Sequence, residues 1–188
     1  MTIREALNVY KTQGAGAVHE GFRDAVEVLI MNHVGTPLEN DCYLDALYLT
    51  DMMLQRTNQD ICILTGRNAD QFLDALKVPL EKALVRIQKV AGKARVIILD
   101  SELPQYVMDL AERFKGVFEV RRGQLKQGAV VNHLIACDST MIRVEEPHGA
   151  LTLDSDGGEI KAKVFFDNAE EVKKRTGFFD AAWAILGK

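Results

Sequence analysis

Apolar residues along this chain keep a helical spacing at first and later gather into the short continuous runs of strands. Ile3, Ala6, Leu7 and Tyr10 recur at steps of three and four, predicting a short helix over residues 2–12 that Gly14 and Gly16 interrupt. A second helix is predicted over 17–32, with Val18, Phe22, Val26 and Leu29 on one stripe. In GTPLEN (35–40), Gly35 can end that helix and Pro37 cannot continue it, so the segment reads as a turn. YLDALYLTDMML (43–54) is apolar almost all round its helical circumference, Asp45 and Asp51 excepted. Such a helix is buried on several sides or packs on a partner.

From residue 60 strands and helices alternate. DICILTG (60–66) is a short β-rich run ending in Gly. Asn68 with Gln71 has the form of a capping box opening a helix to about residue 91, with Phe72, Leu76, Leu80, Ala83, Ile87 and Val90 as its stripe. Pro79 should kink or split that helix. KARVIILD (93–100) reads as a strand buried on both faces. Ser101 is placed to cap a helix carrying Leu103, Val107, Leu110 and Phe114, and VFEVRRG (117–123) alternates like a strand. This β-α-β-α-β order implies a parallel sheet. AVVNHLIACD (129–138) and TMIRVEE (140–146) then follow as a tight hairpin, and the loop LDSDGGE (153–159) leads into KAKVFFD (161–167). Asn168 with Glu171 opens a last helix bearing Val172, Phe179, Trp183 and Leu186.

Length and composition narrow this picture. A chain of 188 residues builds one full-sized core, so a single domain is expected: a helical part over 1–57 and an α/β unit over 60–188. A hydrophobic share of 47% with 27% charged residues excludes a disordered or fibrous chain. The net charge of −4 argues against a protein that coats DNA. Charge is uneven, however: residues 1–60 carry 4 Lys/Arg against 9 Asp/Glu, and the remainder 19 against 18. Cys42, Cys62 and Cys137 lie far apart in apolar runs, without the spacing of a zinc site, and read as buried reduced thiols. With no signal-like start and no apolar run of about 20 residues, the expectation is a cytoplasmic protein without a membrane span.

Two segments carry a family resemblance. In NHLIACDSTMIRVEEPH (132–148) a hydrophobic strand ends in Asp and turns into a second strand. VFFDNAEEVKKRTGFFDAAW (164–183) is a strand, an Asx-Glu helix start and a Phe179-to-Trp183 close. Together with the element order, they make residues 60–188 resemble a phospholipase D-like unit. The resemblance implies an α/β fold, a mixed sheet with helices on both faces, preceded here by extra N-terminal helices. The family's catalytic signature is H-x-K-x4-D-x6-G-S, whose His forms a phosphohistidine and whose Lys holds the phosphate charge. With Asp138 as the signature's Asp, its His position falls on Val131, its Lys on His133, and its Gly-Ser on Glu145 and Glu146. Valine cannot be a nucleophile, and two glutamates repel a phosphate. The resemblance therefore implies a degenerate site, no cofactor and, by analogy with units that work in pairs, a homodimer.

Other candidates are weaker. Arg121, Arg122 and Lys126 stand round glycines at a predicted strand end, where arginine forks suit a phosphate or a carboxylate; a charge-guarded sheet edge is the competing reading. Lys173, Lys174 and Arg175 read as a wet helix face. DSDGGE (154–159) lacks the ligand series of a calcium loop, and His19 and His33 are too far apart to share a metal, so no metal site is expected. The leading expectation is a non-catalytic binding or adaptor protein that engages a protein partner or a nucleic acid, its binding residues being Arg121, Arg122 and Lys126. The alternative is a phosphodiesterase or nuclease with an atypical site of His133, Asp138 and His148.

Overall fold

The computed structural model describes residues 1–66, 69–127, 129–148 and 151–186. Its strands are β1 (Leu38–Asn40), β2 (Asp60–Thr65), β3 (Lys93–Leu99), β4 (Phe118–Gly123), β5 (His133–Cys137), β6 (Met141–Glu145) and β7 (Ala162–Phe165). They form one sheet in the order β1-β7-β6-β5-β2-β3-β4. β2, β3 and β4 run parallel, joined by helical crossovers, whereas β5, β6, β7 and β1 pair antiparallel. The fold is thus α/β with a mixed sheet.

Alternation along the strands sorts side chains between two cores. Ile61, Ile63, Val96, Ile98, Ile135 and Cys137 face the larger one, and Cys62, Leu64, Ile97, Leu134, Ala136 and Val144 the smaller. Both faces are covered, which is why these strands read as unbroken apolar runs. The larger core is closed by α1 (Ile3–Gln13), α2 (Glu20–Met31), α3 (Tyr43–Arg56), α4 (Ala69–Ala75), α5 (Lys77–Lys89) and α6 (Gln105–Arg113). The smaller is closed by α7 (Ala169–Leu186), through Val172, Phe179, Trp183 and Leu186. The all-round apolar helix, α3, buries ten of its residues. Its Asp51 accepts a hydrogen bond from the Tyr10 hydroxyl at 2.7 Å, so the polar exception has a partner. Among the described residues, no helix is long and apolar enough to cross a membrane.

Several expectations need correction. The helix expected to about residue 91 does divide, but at Leu76 and not at Pro79. Pro79 then lies in the first turn of α5, where a missing N–H leaves no bond unmade. Ser101 does not cap α6: the helix begins after Pro104, because the residue before a proline is driven out of helical geometry. The strand expected from Ala129 begins only at His133. Leu38–Asn40, read as turn, is an edge strand on β7. Of the final capping box only half forms: Asn168 Oδ1 accepts from the Glu171 amide, while the Glu171 carboxylate turns to Arg175. Asn68 lies outside the described residues.

Candidate functional site

In the β5–β6 hairpin His133 is paired with Glu145 and Ile135 with Arg143. Residues two apart on a strand share a face, so His133, Arg143 and Glu145 all project to the side of the larger core. His148, three residues beyond Glu145, folds back over the same spot. Glu145 Oε1 accepts from His148 Nε2 at 2.8 Å and lies 3.7 Å from His133 Nδ1. The two imidazole rings have centroids 4.8 Å apart. The other carboxylate oxygen, Oε2, accepts from Arg143 Nη2 at 2.5 Å, and the same nitrogen reaches Asn40 Oδ1 at 3.2 Å. Asn40 comes from β1, so the edge strand missed by sequence reading supplies a member of the site.

This is where the fold commits its interior polarity. Of the five buried polar residues among those described, Asn40, Arg143 and Glu145 belong to this one network. Burial works against the charge on Glu145, but Arg143, His148 and His133 outweigh it and bring its pKa down to about 2. The carboxylate is ionised at neutral pH. Burial lowers the pKa of His133; Glu145 opposes that shift, and His148 and Arg143 add to it. Arg143 Nε is buried with no hydrogen-bond partner.

The cluster faces a cavity of about 50 Å³ that Tyr43, Thr65, Phe72 and Leu151 also line. A water needs about 10–15 Å³ of such space, so the cavity has room for water or a small ligand. On their other side His133 and His148 border a second recess, with Gly66, Leu99, Asp100 and Val131. Both hollows open beyond the carboxyl ends of the parallel strands, where α/β sheets generally hold their ligands.

The structure brings His133 and His148 together but leaves Asp138 at the opposite end of β5, about 17 Å away at some 3.3 Å per strand residue. There Asp138 accepts from the backbone amides of Asn58, Gln59 and Asp60 at 3.1, 2.8 and 3.0 Å. It has a φ of 53°, a turn conformation Asp tolerates better than most residues. Its role is to fasten the entry to β2. Arg121 stacks on the Trp183 ring, 4.1 Å from the centroid, and donates to the Trp183 carbonyl, tying α7 to the sheet. Arg122 is held by Glu102 at 2.7 Å, and Lys126 stays exposed. Asp154 pairs with Arg4, and Lys174 and Arg175 with Glu171. His19 caps α2, and His33 lies 3.0 Å from Asp167.

Sequence reading missed Glu145, Arg143 and Asn40 as site residues. A signal was present in MIRVE, where opposite charges two positions apart on an apolar strand must share a buried face. Glu146 faces the other way, beside Lys161 and Arg175.

No family model matches the sequence, and no curated protein does. The architecture does have counterparts among solved structures. It is similar to TrmBL2, an archaeal chromatin protein described as showing a novel mode of DNA binding, with a TM-score of 0.58 at 15% identity over 88% of this chain. This chain spans 61% of that protein's length. It is also similar to Nuc from Salmonella typhimurium, a phospholipase D family member, with a TM-score of 0.53 at 11% identity, covering 79% of this chain and 95% of Nuc. A polyphosphate kinase from Porphyromonas gingivalis matches with a TM-score of 0.52 at 12% identity, covering 90% of this chain and 29% of the kinase. Sheet order, the helix-covered faces and the match along nearly the whole of Nuc agree: the chain has the phospholipase D-like fold.

Proposed function

We propose that this chain is a phospholipase D-like binding protein that does not perform the family's phosphodiester chemistry. The observation that carries the reading is Glu145. Where the signature has the first residue of its Gly-Ser pair, this chain has a buried carboxylate clamped by Arg143 and His148. An entering phosphate would meet fixed negative charge at short range, in surroundings that screen it poorly. Val131, at the nucleophile's position, has no lone pair to offer.

A protein partner fits better than a nucleic acid. Two of the three cations nominated for phosphate contact already have partners, Arg121 in its stack on Trp183 and Arg122 in a surface ion pair with Glu102. By contrast Val28 and Met31 on α2, and Val130 and Phe178 beside the start of β5, are exposed apolar side chains. A homodimer is the expected assembly. The cysteines, all free, suit a reducing cytoplasmic setting. The test is incubation with labelled single- and double-stranded DNA and RNA over a salt series, with a mass measurement of the oligomer alongside. We expect no cleavage by either the native chain or His133→Ala. Tight, steeply salt-dependent binding would instead make nucleic acid the partner.

A second reading, an atypical phosphodiesterase, is favoured by one feature: two imidazoles 4.8 Å apart on a common carboxylate could act as nucleophile and acid. Cleavage by the native chain that disappears in His133→Ala would establish it.

A further inference from the structure

His133, Glu145 and His148 each offer one ligand atom, and these atoms all lie within 4.8 Å of one another. Two neutral-capable imidazoles and a carboxylate are the donor set of zinc and related divalent transition metals; magnesium and calcium favour oxygen ligands throughout. Bonds of about 2.0–2.1 Å in a tetrahedron set ligand atoms about 3.3 Å apart. The carboxylate oxygen already stands 2.8 Å from one imidazole nitrogen and 3.7 Å from the other. Those two edges need adjustments of about half an ångström, and the third, between imidazole nitrogens within 4.8 Å of each other, must close by about 1.5 Å to admit an ion.

The surroundings match an open site and not a closed one. Three protein ligands leave a fourth position, and the cavity of about 50 Å³ beside them has room for the water that would fill it. Arg143 engages Oε2, the oxygen turned away from the histidines, and so orients the carboxylate while leaving Oε1 for the metal. Asn40 holds Arg143 in turn. The guanidinium also places a positive charge near the ion, which weakens affinity compared with a site of the same ligands without it.

We propose that His133 Nδ1, His148 Nε2 and Glu145 Oε1 form a divalent transition-metal site of the zinc type, with an open position toward the cavity. It rests on the same cleft as the proposed function, whose fixed carboxylate favours a cation over a phosphate.

The full chain, stripped with a chelator and dialysed, is titrated with Zn²⁺ by calorimetry and with Co²⁺ by visible absorption. One saturable site per chain is expected, with a cobalt spectrum of low coordination number. His148→Ala should weaken binding by more than the roughly 10–100-fold typical of losing an outer partner. His33→Ala and His19→Ala, on exposed imidazoles, should leave it unchanged; circular dichroism confirms that each variant folds. No saturable binding, binding indifferent to His148→Ala, or binding lost with His33 or His19 would overturn the site. Repeating the nucleic-acid incubation with metal present separates the two readings. Metal bound without cleavage supports both. Metal-dependent cleavage keeps the site and removes the non-catalytic reading. Neither metal nor cleavage removes the site alone.

Discussion

The β5–β6 hairpin carries an acidic residue near each end, and the two are put to opposite uses. At the amino end of the parallel strands Asp138 accepts from three successive backbone amides, Asn58, Gln59 and Asp60. The same corner is closed by Lys93, whose amide donates to Gln59, and by Gly92, where a Cβ would fall 1.9 Å from the Gln59 carbonyl oxygen. At the carboxyl end Glu145 is held, among the described residues, by side chains, beside a cavity, with one buried guanidinium nitrogen still unpartnered. A carboxylate spent on backbone amides fixes a turn; one spent on movable side chains can exchange partners. The difference lies in what surrounds each group, since both side chains carry the same chemistry.

The largest expected effect comes from breaking the carboxyl end. Glu145→Ala leaves Arg143 buried and uncompensated and should cost about 3–5 kcal/mol in denaturant unfolding. Replacing both partners, Arg143→Met with Glu145→Leu, should recover most of that loss, because two apolar groups need no mutual partner. A double variant no more stable than the single one would show that the pair is not an isolated charge balance. Acid sharpens the contrast without mutation. Glu145 has a depressed pKa, so its contribution is present above pH 4.5 and lost as pH falls toward about 2. His133 is also depressed, so the unfolded chain takes up its proton first and stability declines as pH drops below 6.5. Stability measured against pH should fall on the acid side, and His133→Gln should flatten the part that begins near neutrality.

At the amino end Asp138→Ala should cost about 2 kcal/mol, in line with losing charge-assisted bonds to main chain. It should leave Zn²⁺ affinity unchanged, and a parallel loss of affinity would mean the two ends are coupled. Arg121→Ala, which removes the stack on Trp183, should cost about 1 kcal/mol. Arg122→Ala removes only a surface ion pair and should change stability by no more than about 0.5 kcal/mol.

The comparison also shows what was legible in the residues. Unbroken runs such as KARVIIL and the all-round apolar pattern of α3 predicted buried strands and a central helix, since burial on every side leaves no room for a polar stripe. His133 and His148 were legible because imidazoles are scarce and stood beside the hairpin. Asp138 was placed with them by its position in a motif, but a strand carries its two ends apart by its own length. Glu145 was hidden by the opposite error. Charges are ordinarily read as surface, and nothing local announces that Asn40, about a hundred positions earlier, will arrive to hold Arg143. Contacts at that separation depend on where β1 pairs, which three residues of weak pattern do not declare.

That pairing sets a timetable. Among the described strands β1 pairs with β7 alone, Leu38 facing Val164, and the helix that covers the second face follows β7 in the chain. During synthesis the ribosome therefore releases the first edge strand long before its neighbour exists. Ile97, Leu134 and Val144 are bare until α7 emerges. The nascent chain must hold that sheet face open to its surroundings until α7 is made, a window in which chaperone binding or aggregation competes with folding. Asn40 cannot reach Arg143 in the native arrangement before β1 docks on β7, so the cleft is among the last parts of the molecule to be completed.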